Sequence, residues 1–239
     1  MISAILKGAH ATVNTELIVV LDVDTREAAL KTVAQCEGCT WFKIGSQLFT
    51  RCGPEIVREV QVMNRRVMLD LKFHDIPNTV AHAAKAAADL QVGLCTLHAS
   101  GGRKMIQAAR AAVEGSGTAL LAVTVLTSLS EQELREEIGI AQTPAEAVSR
   151  LAKQAVEAGA HGIVCSPQEI SLVREAVGPE PLIVTPGIRP DWAGQDDQTR
   201  IMTPRQAKEA GATMIVVGRP ILKHANPAEA VRLIQEELQ

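Results

Sequence analysis

Eight short aliphatic runs recur along the chain, at 17–22, 40–44, 66–71, 94–98, 118–125, 162–165, 182–185 and 213–217. Each is four to eight residues long, rich in Val, Ile and Leu, and almost free of polar alternation. Such runs suit strands of a parallel sheet covered on both faces, because a half-solvated strand alternates instead. Between them lie stretches with helical spacing, such as 77–90 and 144–158. Pro77, Pro144 and Pro204 stand where a first-turn proline is tolerated, the last two behind a threonine. Gly93, Gly159, Gly178 and Gly211 fall near predicted helix ends. Eight strand–helix units of roughly 30 residues, with no Gly/Pro/Ser-rich linker, predict a single (β/α)8 TIM barrel spanning residues 1–239. The alternative is an open doubly wound sheet. That fold usually carries a glycine-rich turn after its first strand, and Val23-Asp24-Thr25-Arg26 has none.

Composition narrows the partners. With 24 Lys and Arg against 27 Asp and Glu, the chain lacks the basic excess of a nucleic-acid or anionic-membrane binder. Only Trp41, Trp192, Phe42, Phe49 and Phe73 are aromatic, too few for a base-stacking platform. No apolar run approaches the ~20 residues of a membrane span, and residues 1–14 contain no apolar signal core. Cys36, Cys39, Cys52, Cys95 and Cys165 make an odd set in a chain large enough to do without disulfides. Cys36-Glu-Gly-Cys39 has redox or zinc spacing, yet no second pair accompanies it, so reduced structural thiols and a cytoplasmic chain are expected. No metal motif stands out, and no cofactor is expected.

In such a barrel, polar residues at the C-terminal strand ends carry the chemistry. The densest set is Asp70-Leu-Lys72-Phe-His74-Asp75, followed by Pro77 and Thr79. Asp70 and Lys72 are two apart, so in an extended strand they share a face. That face must be the barrel mouth, since neither charge is stable if buried alone. Lys43 ends the preceding strand, about 4.8 Å away across the sheet, and Asp22 ends the first. Ordinary rim ion pairs explain any one of these charges, but not two lysines and two aspartates converging from adjacent strands. Opposite charges so paired keep lysine protonated and aspartate ionised, which makes a fixed field rather than a proton-abstracting dyad.

Across the mouth, the eighth strand runs into Gly218-Arg219-Pro220, and the seventh into Thr185-Pro-Gly-Ile-Arg189-Pro. Loops after strands seven and eight commonly bind phosphate in this fold; Gly218 permits close backbone approach and an arginine makes a forked contact. Gln198 belongs to the long connection 186–203, whose composition suits a lid. A second long connection, 126–143, follows the fifth strand, with Thr127 and Ser128 at its entry. His98, His74 and His82 read more simply as structural than as catalytic acids.

Together, LDVD at 21–24, FKIG at 42–45, DLKFHDIPNT at 70–79, VLTS at 125–128, TPGIRP at 185–190 and VGRPI at 217–221 closely resemble the bacterial type of the orotidine 5′-phosphate decarboxylase family. The resemblance implies a cofactor-free conversion of orotidine 5′-monophosphate to uridine 5′-monophosphate and CO2, the last step of de novo pyrimidine nucleotide synthesis. It makes Lys72 the proton donor to C6 of the pyrimidine. Lys43, Asp70 and Asp75 complete the charged tetrad, with Asp75 given across a homodimer interface. It places Asp22 and the partner chain's Thr79 on the ribose side, Thr127 near the pyrimidine, and Gln198, Arg189, Gly218 and Arg219 around the phosphate. Some relatives have a lid tyrosine near the phosphate; this chain contains no tyrosine. A metal-dependent sugar-phosphate enzyme on the same barrel would want a carboxylate ligand near the end of the second strand, where this chain has Lys43. A nucleotide sensor without turnover would leave the Asp-Lys alternation unexplained.

Overall fold

The computed structural model describes residues 15–193 and 201–239. Its eight strands are β1 (Glu16–Val20), β2 (Trp41–Gly45), β3 (Arg66–Phe73), β4 (Leu94–His98), β5 (Ala119–Val123), β6 (Gly162–Val164), β7 (Leu182–Thr185) and β8 (Met214–Val217). They close in sequence order into a barrel, every neighbouring pair parallel, with β8 back against β1. Helices intervene between strands, as the expected (β/α)8 TIM barrel requires.

Alternate residues of each strand point to two cores. Ile18, Val20, Trp41, Met68, Leu121, Val123, Val164, Val184 and Val216 fill the barrel interior. Their neighbours, including Val19, Phe42, Leu69, Leu97, Ile163 and Ile215, pack outward against the helices. Each such aliphatic side chain contributes about 1.5–3 kcal/mol when fully buried, which is why the strands read as unbroken apolar runs. Trp41 plugs the N-terminal end of the interior. Its indole N–H donates to Glu16 Oε2 at 3.2 Å, and the Arg66 guanidinium lies 4.0 Å above its ring. Gly93 makes room for it, since a Cβ there would come within 2.6 Å of the indole.

Helix starts obey the signals in the sequence. Thr143 with Glu146 and Thr203 with Gln206 form reciprocal capping boxes, each followed by a first-turn proline. A cap of this kind stabilises its helix by roughly 1 kcal/mol. The connection 126–143 is not a plain loop: it contains a short helix, Glu131–Glu136, started by a further capping box between Ser130 and Glu133.

Two strand ends differ from the sequence reading. β1 stops at Val20, so Asp22 stands two residues past the sheet. β3 continues to Phe73 and is irregular: Leu69 pairs with Cys95 and Phe73 with Leu97, so three residues of β3 face Thr96 alone. Cys36 and Cys39 are both buried free thiols. The Cys39 thiol donates to the Leu17 and Trp41 carbonyls, and burial pushes Cys36 and Cys39 up to about 11 and about 12. Thiols so far from ionising are poor nucleophiles. Among the described residues, no helix is long and apolar enough to cross a membrane.

Candidate active site

The register of β2 against β3 sets the centre of the site. Gly45 pairs with Asp70 and Lys43 with Met68, so Lys43 sits one pleat below Asp70 and its side chain rises along the interior face. Its ammonium lies 3.1 Å from Asp70 Oδ2 and 3.7 Å from Asp22 Oδ1. Gly45 leaves space for it, because a Cβ there would stand 3.1 Å from Lys43 Nζ. From the other side, Lys72 Nζ donates to both oxygens of Asp70, at 2.9 Å each. Asp70 is only 8% exposed. Burial alone would push its carboxyl up, but the Lys43 and Lys72 charges outweigh that and hold it below the ordinary aspartate range.

The simple picture of Asp70 and Lys72 alternating along an extended strand needs correcting. Lys72 has φ +50°, in the left-handed region, at the irregularity of β3. A non-glycine residue there costs of order 1–3 kcal/mol and persists only where its surroundings impose it. Two groups impose it here. The Lys72 N–H, displaced from the sheet ladder, donates to Thr96 Oγ1 at 2.9 Å. The Lys72 ammonium is tied to Asp70. The bulge thus keeps Lys72 and Asp70 on the same side of the sheet although the strand is not regular between them.

These charges line a cavity of about 300 Å³ at the C-terminal mouth of the barrel. Val20, Met68, Val123, Val164 and Val216 make an apolar floor. Asp22, Lys43, Asp70, Lys72 and Thr127 line it as well, together with Arg189, Gly218 and Arg219 from the segments after β7 and β8. A small pocket with an apolar floor and a few convergent polar groups suits a small anionic ligand. Arg189 is buried, and its loop is pinned where its N–H donates to the Met202 carbonyl. Gly218 packs on Val20, where a Cβ would come within 3.3 Å of that side chain.

Asp75 and Thr79 are exposed and do not line this cavity. Asp75 Oδ1 instead accepts the N–H of Ile76 at 2.6 Å. Within one chain the converging charges are therefore Lys43, Asp70, Lys72 and Asp22. Gln198 lies outside the described residues. His98, at the end of β4, has its ring 5.2 Å from that of His74. Burial first, then the His74 and Lys72 charges, lower its tendency to protonate, with Asp70 acting against them. Thr96 is the site residue that the sequence reading missed. A polar residue within the apolar run 94–98 was the available signal. Among the described residues, no group of three or more His, Cys, Asp or Glu is placed to hold a metal ion.

Comparison with known proteins identifies the family and the fold. Residues 15–234 match the model of the orotidine 5′-phosphate decarboxylase / HUMPS family. The orotidine 5′-phosphate decarboxylase of Saccharophagus degradans is 50% identical over 226 residues, covering 93% of this chain and 94% of that one. That of Heliobacterium modesticaldum is 50% identical over 230 residues, covering 93% and 95%. A crystal structure of orotidine 5′-phosphate decarboxylase from Lactobacillus acidophilus superposes with a TM-score of 0.84 at 39% identity, covering 94% of this chain and 99% of that one.

Proposed function

The chain belongs to the orotidine 5′-phosphate decarboxylase / HUMPS family, and we propose that it decarboxylates orotidine 5′-monophosphate using the charged array at its mouth. The observation that carries this reading is one carboxylate, Asp70, gripped between two ammonium groups and facing the same cavity as Arg189 and Arg219. The arginines suit the dianionic phosphate, with charge-assisted forked contacts. Thr127 suits a polar edge of the pyrimidine and Asp22 the ribose.

With the phosphate held there, the reacting carbon faces Lys72. The C6–carboxylate bond breaks, CO2 leaves, and the electron pair stays on C6. The Lys72 ammonium is a fixed positive charge aimed at that pair, and it delivers the proton that forms the C6–H bond. The neutral amine then recovers its proton from water as product leaves. Asp70 holds Lys72 in place and also lies near the substrate carboxylate. Two like charges 4 Å apart repel by about 4 kcal/mol at an effective dielectric near 20, and the departure of CO2 removes that repulsion. Enzymes lower barriers by roughly 8–23 kcal/mol, so repulsion supplies half of that at most and is not the whole account. Stabilisation of the C6 charge by Lys72, financed by binding at the distant phosphate, must supply the rest.

Asp75 and Thr79, exposed beside the mouth, are proposed to serve a neighbouring site in a homodimer rather than their own. The deciding assay follows the fall in substrate absorbance with pure protein and a chelator present. Turnover is expected; its absence overturns the reading. Lys72→Ala should abolish turnover while leaving the fold intact, and near-wild-type turnover in that variant would remove Lys72 from its role.

A further inference from the structure

The geometry points to Thr96 as a positioning residue for the reaction: its single hydroxyl couples the backbone of Lys72 to the carboxylate of Asp70. The inference rests on the reading of Asp70 and Lys72 as the reacting pair. Thr96 lies in the middle of β4 and is fully buried. Its Oγ1 accepts the Lys72 N–H at 2.9 Å and donates its own proton to Asp70 Oδ1 at 3.0 Å. A hydroxyl has one proton. Here the proton is committed to the carboxylate and the lone pair to the amide, so the two bonds fix each other's direction. Threonine's branched β-carbon restricts its rotamers and keeps the hydroxyl on this line.

Two properties of the site depend on that bond pair. The first is the bulge. Three residues of β3 face only Thr96, and Lys72 adopts φ +50° there. Without Oγ1, the Lys72 amide loses its partner at the point where the backbone is least favourable. The second is the charge state of Asp70. Its surroundings are Lys43 from β2, Lys72 on β3, and Cys95 and His98 on β4, with Asp22 beyond Lys43. Thr96 is the neutral donor in this ring, and donation to an ionised carboxylate favours the ionised form.

The test compares Thr96→Val, Thr96→Ala and Thr96→Ser. Val keeps the volume without the hydroxyl; Ala and Ser differ from each other by the hydroxyl alone. In Val and Ala, kcat should fall by about tenfold to a hundredfold, the scale on which misplaced groups near the chemistry act, with KM changed less than about threefold. Ser should recover kcat to within about threefold of wild type, and the acid limb of the kcat–pH profile should move up by about one unit in Val and Ala but not in Ser. Equal kcat and an unchanged acid limb in Val and Ala overturn the proposal, as does loss of kcat in Ser equal to that in Ala. Failure of both Val and Ala to fold assigns Thr96 to the fold and overturns it too. If wild-type protein does not decarboxylate the substrate, the functional reading fails separately. The 13C titration of the Asp70 carboxyl, which needs no turnover, then decides: an upward shift in Thr96→Val supports the coupling, and no shift removes it.

Discussion

Asp70→Asn isolates what the central carboxylate contributes, because the amide keeps its shape and removes its charge. Asp70 is held by Lys43 at 3.1 Å, by Lys72 at 2.9 Å to each oxygen, and by Thr96 at 3.0 Å. Removing one partner of a buried ion pair typically costs about 3–5 kcal/mol, since the other charge is left uncompensated. The Lys72 side chain is 37% exposed at a solvent-reached mouth. Screening there reduces the expected loss to about 1–3 kcal/mol of unfolding free energy. The pH dependence has a definite sign. The folded carboxyl titrates below the ordinary 3.8. Its contribution is therefore present above the unfolded value, near 3.9, and is lost as pH falls through the lower folded one. Urea titrations of wild type and variant should differ by a constant amount from pH 5 to 7 and converge toward pH 3. In ligand binding, the variant should gain affinity for orotidine 5′-monophosphate relative to uridine 5′-monophosphate, because only the former brings a carboxylate toward residue 70. About 4 kcal/mol is the ceiling of that gain at an effective dielectric near 20. Turnover should collapse together with the hold on Lys72. An unchanged ratio of the two affinities would refute the placement of the substrate carboxylate beside Asp70. Wild-type stability at neutral pH would refute the claim that Asp70 balances the two lysines.

Three further outcomes are expected. Arg219→Ala should weaken uridine 5′-monophosphate binding by about tenfold to a hundredfold, in the range of a lost charge-assisted hydrogen bond, while uridine binds both proteins alike in calorimetry. His161→Leu should lower stability by about 1–3 kcal/mol, because His161 Nδ1 accepts the N–H of Leu120 at 2.9 Å. Burial first, then Arg110, lowers the His161 pKa below 6.5; its stabilisation is full above 6.5 and is lost as pH falls through the lower folded value, so chemical denaturation should show the variant's deficit shrinking toward pH 4. Gly162→Ala should cost about 1–3 kcal/mol by overpacking, since its Cβ would stand 2.6 Å from the Leu182 carbonyl oxygen and 2.9 Å from the Leu121 side chain; a melting temperature equal to wild type would contradict the register of β6 on β7.

Much of the barrel is legible in the sequence because its signals are local. A strand buried on both faces must be apolar throughout, and Thr143-Pro144 and Thr203-Pro204 mark helix starts through the backbone donors they satisfy. The convergence of Lys43, Asp70 and Lys72 was legible for a similar reason: adjacent parallel strands must place their ends side by side. Asp22 is less so, because it lies beyond the end of β1 and only the fold of the following turn brings it within 3.7 Å of Lys43. Asp75 could be grouped with Lys72 by spacing, yet the backbone carries it out of the cavity before the helix Pro77–Asp89 begins. Spacing measures separation along the chain and says nothing of direction once the chain leaves the sheet.

The irregularity of β3 is the least legible feature and the one that sets the geometry of the site. No glycine or proline announces it: the strained position is a lysine between Leu71 and Phe73. Its cause is only partly local: a carboxylate two residues back acts together with a hydroxyl supplied from β4, 24 residues away. A regular strand would satisfy the Lys72 amide with a carbonyl of β4 and leave Thr96 Oγ1 to find another partner. By trading that ladder bond for a side-chain acceptor, the chain couples backbone strain at Lys72 to the charge on Asp70. The strain and the ion pair should then be relieved together: protonating or neutralising Asp70 loosens the Lys72 ammonium and weakens, without its charge, the oxygen that accepts the Thr96 hydroxyl. Amide exchange at Lys72 in Asp70→Asn should accordingly be faster than exchange at residues of β5 on the opposite side of Thr96, and equal protection at both places would show the two bonds to be independent.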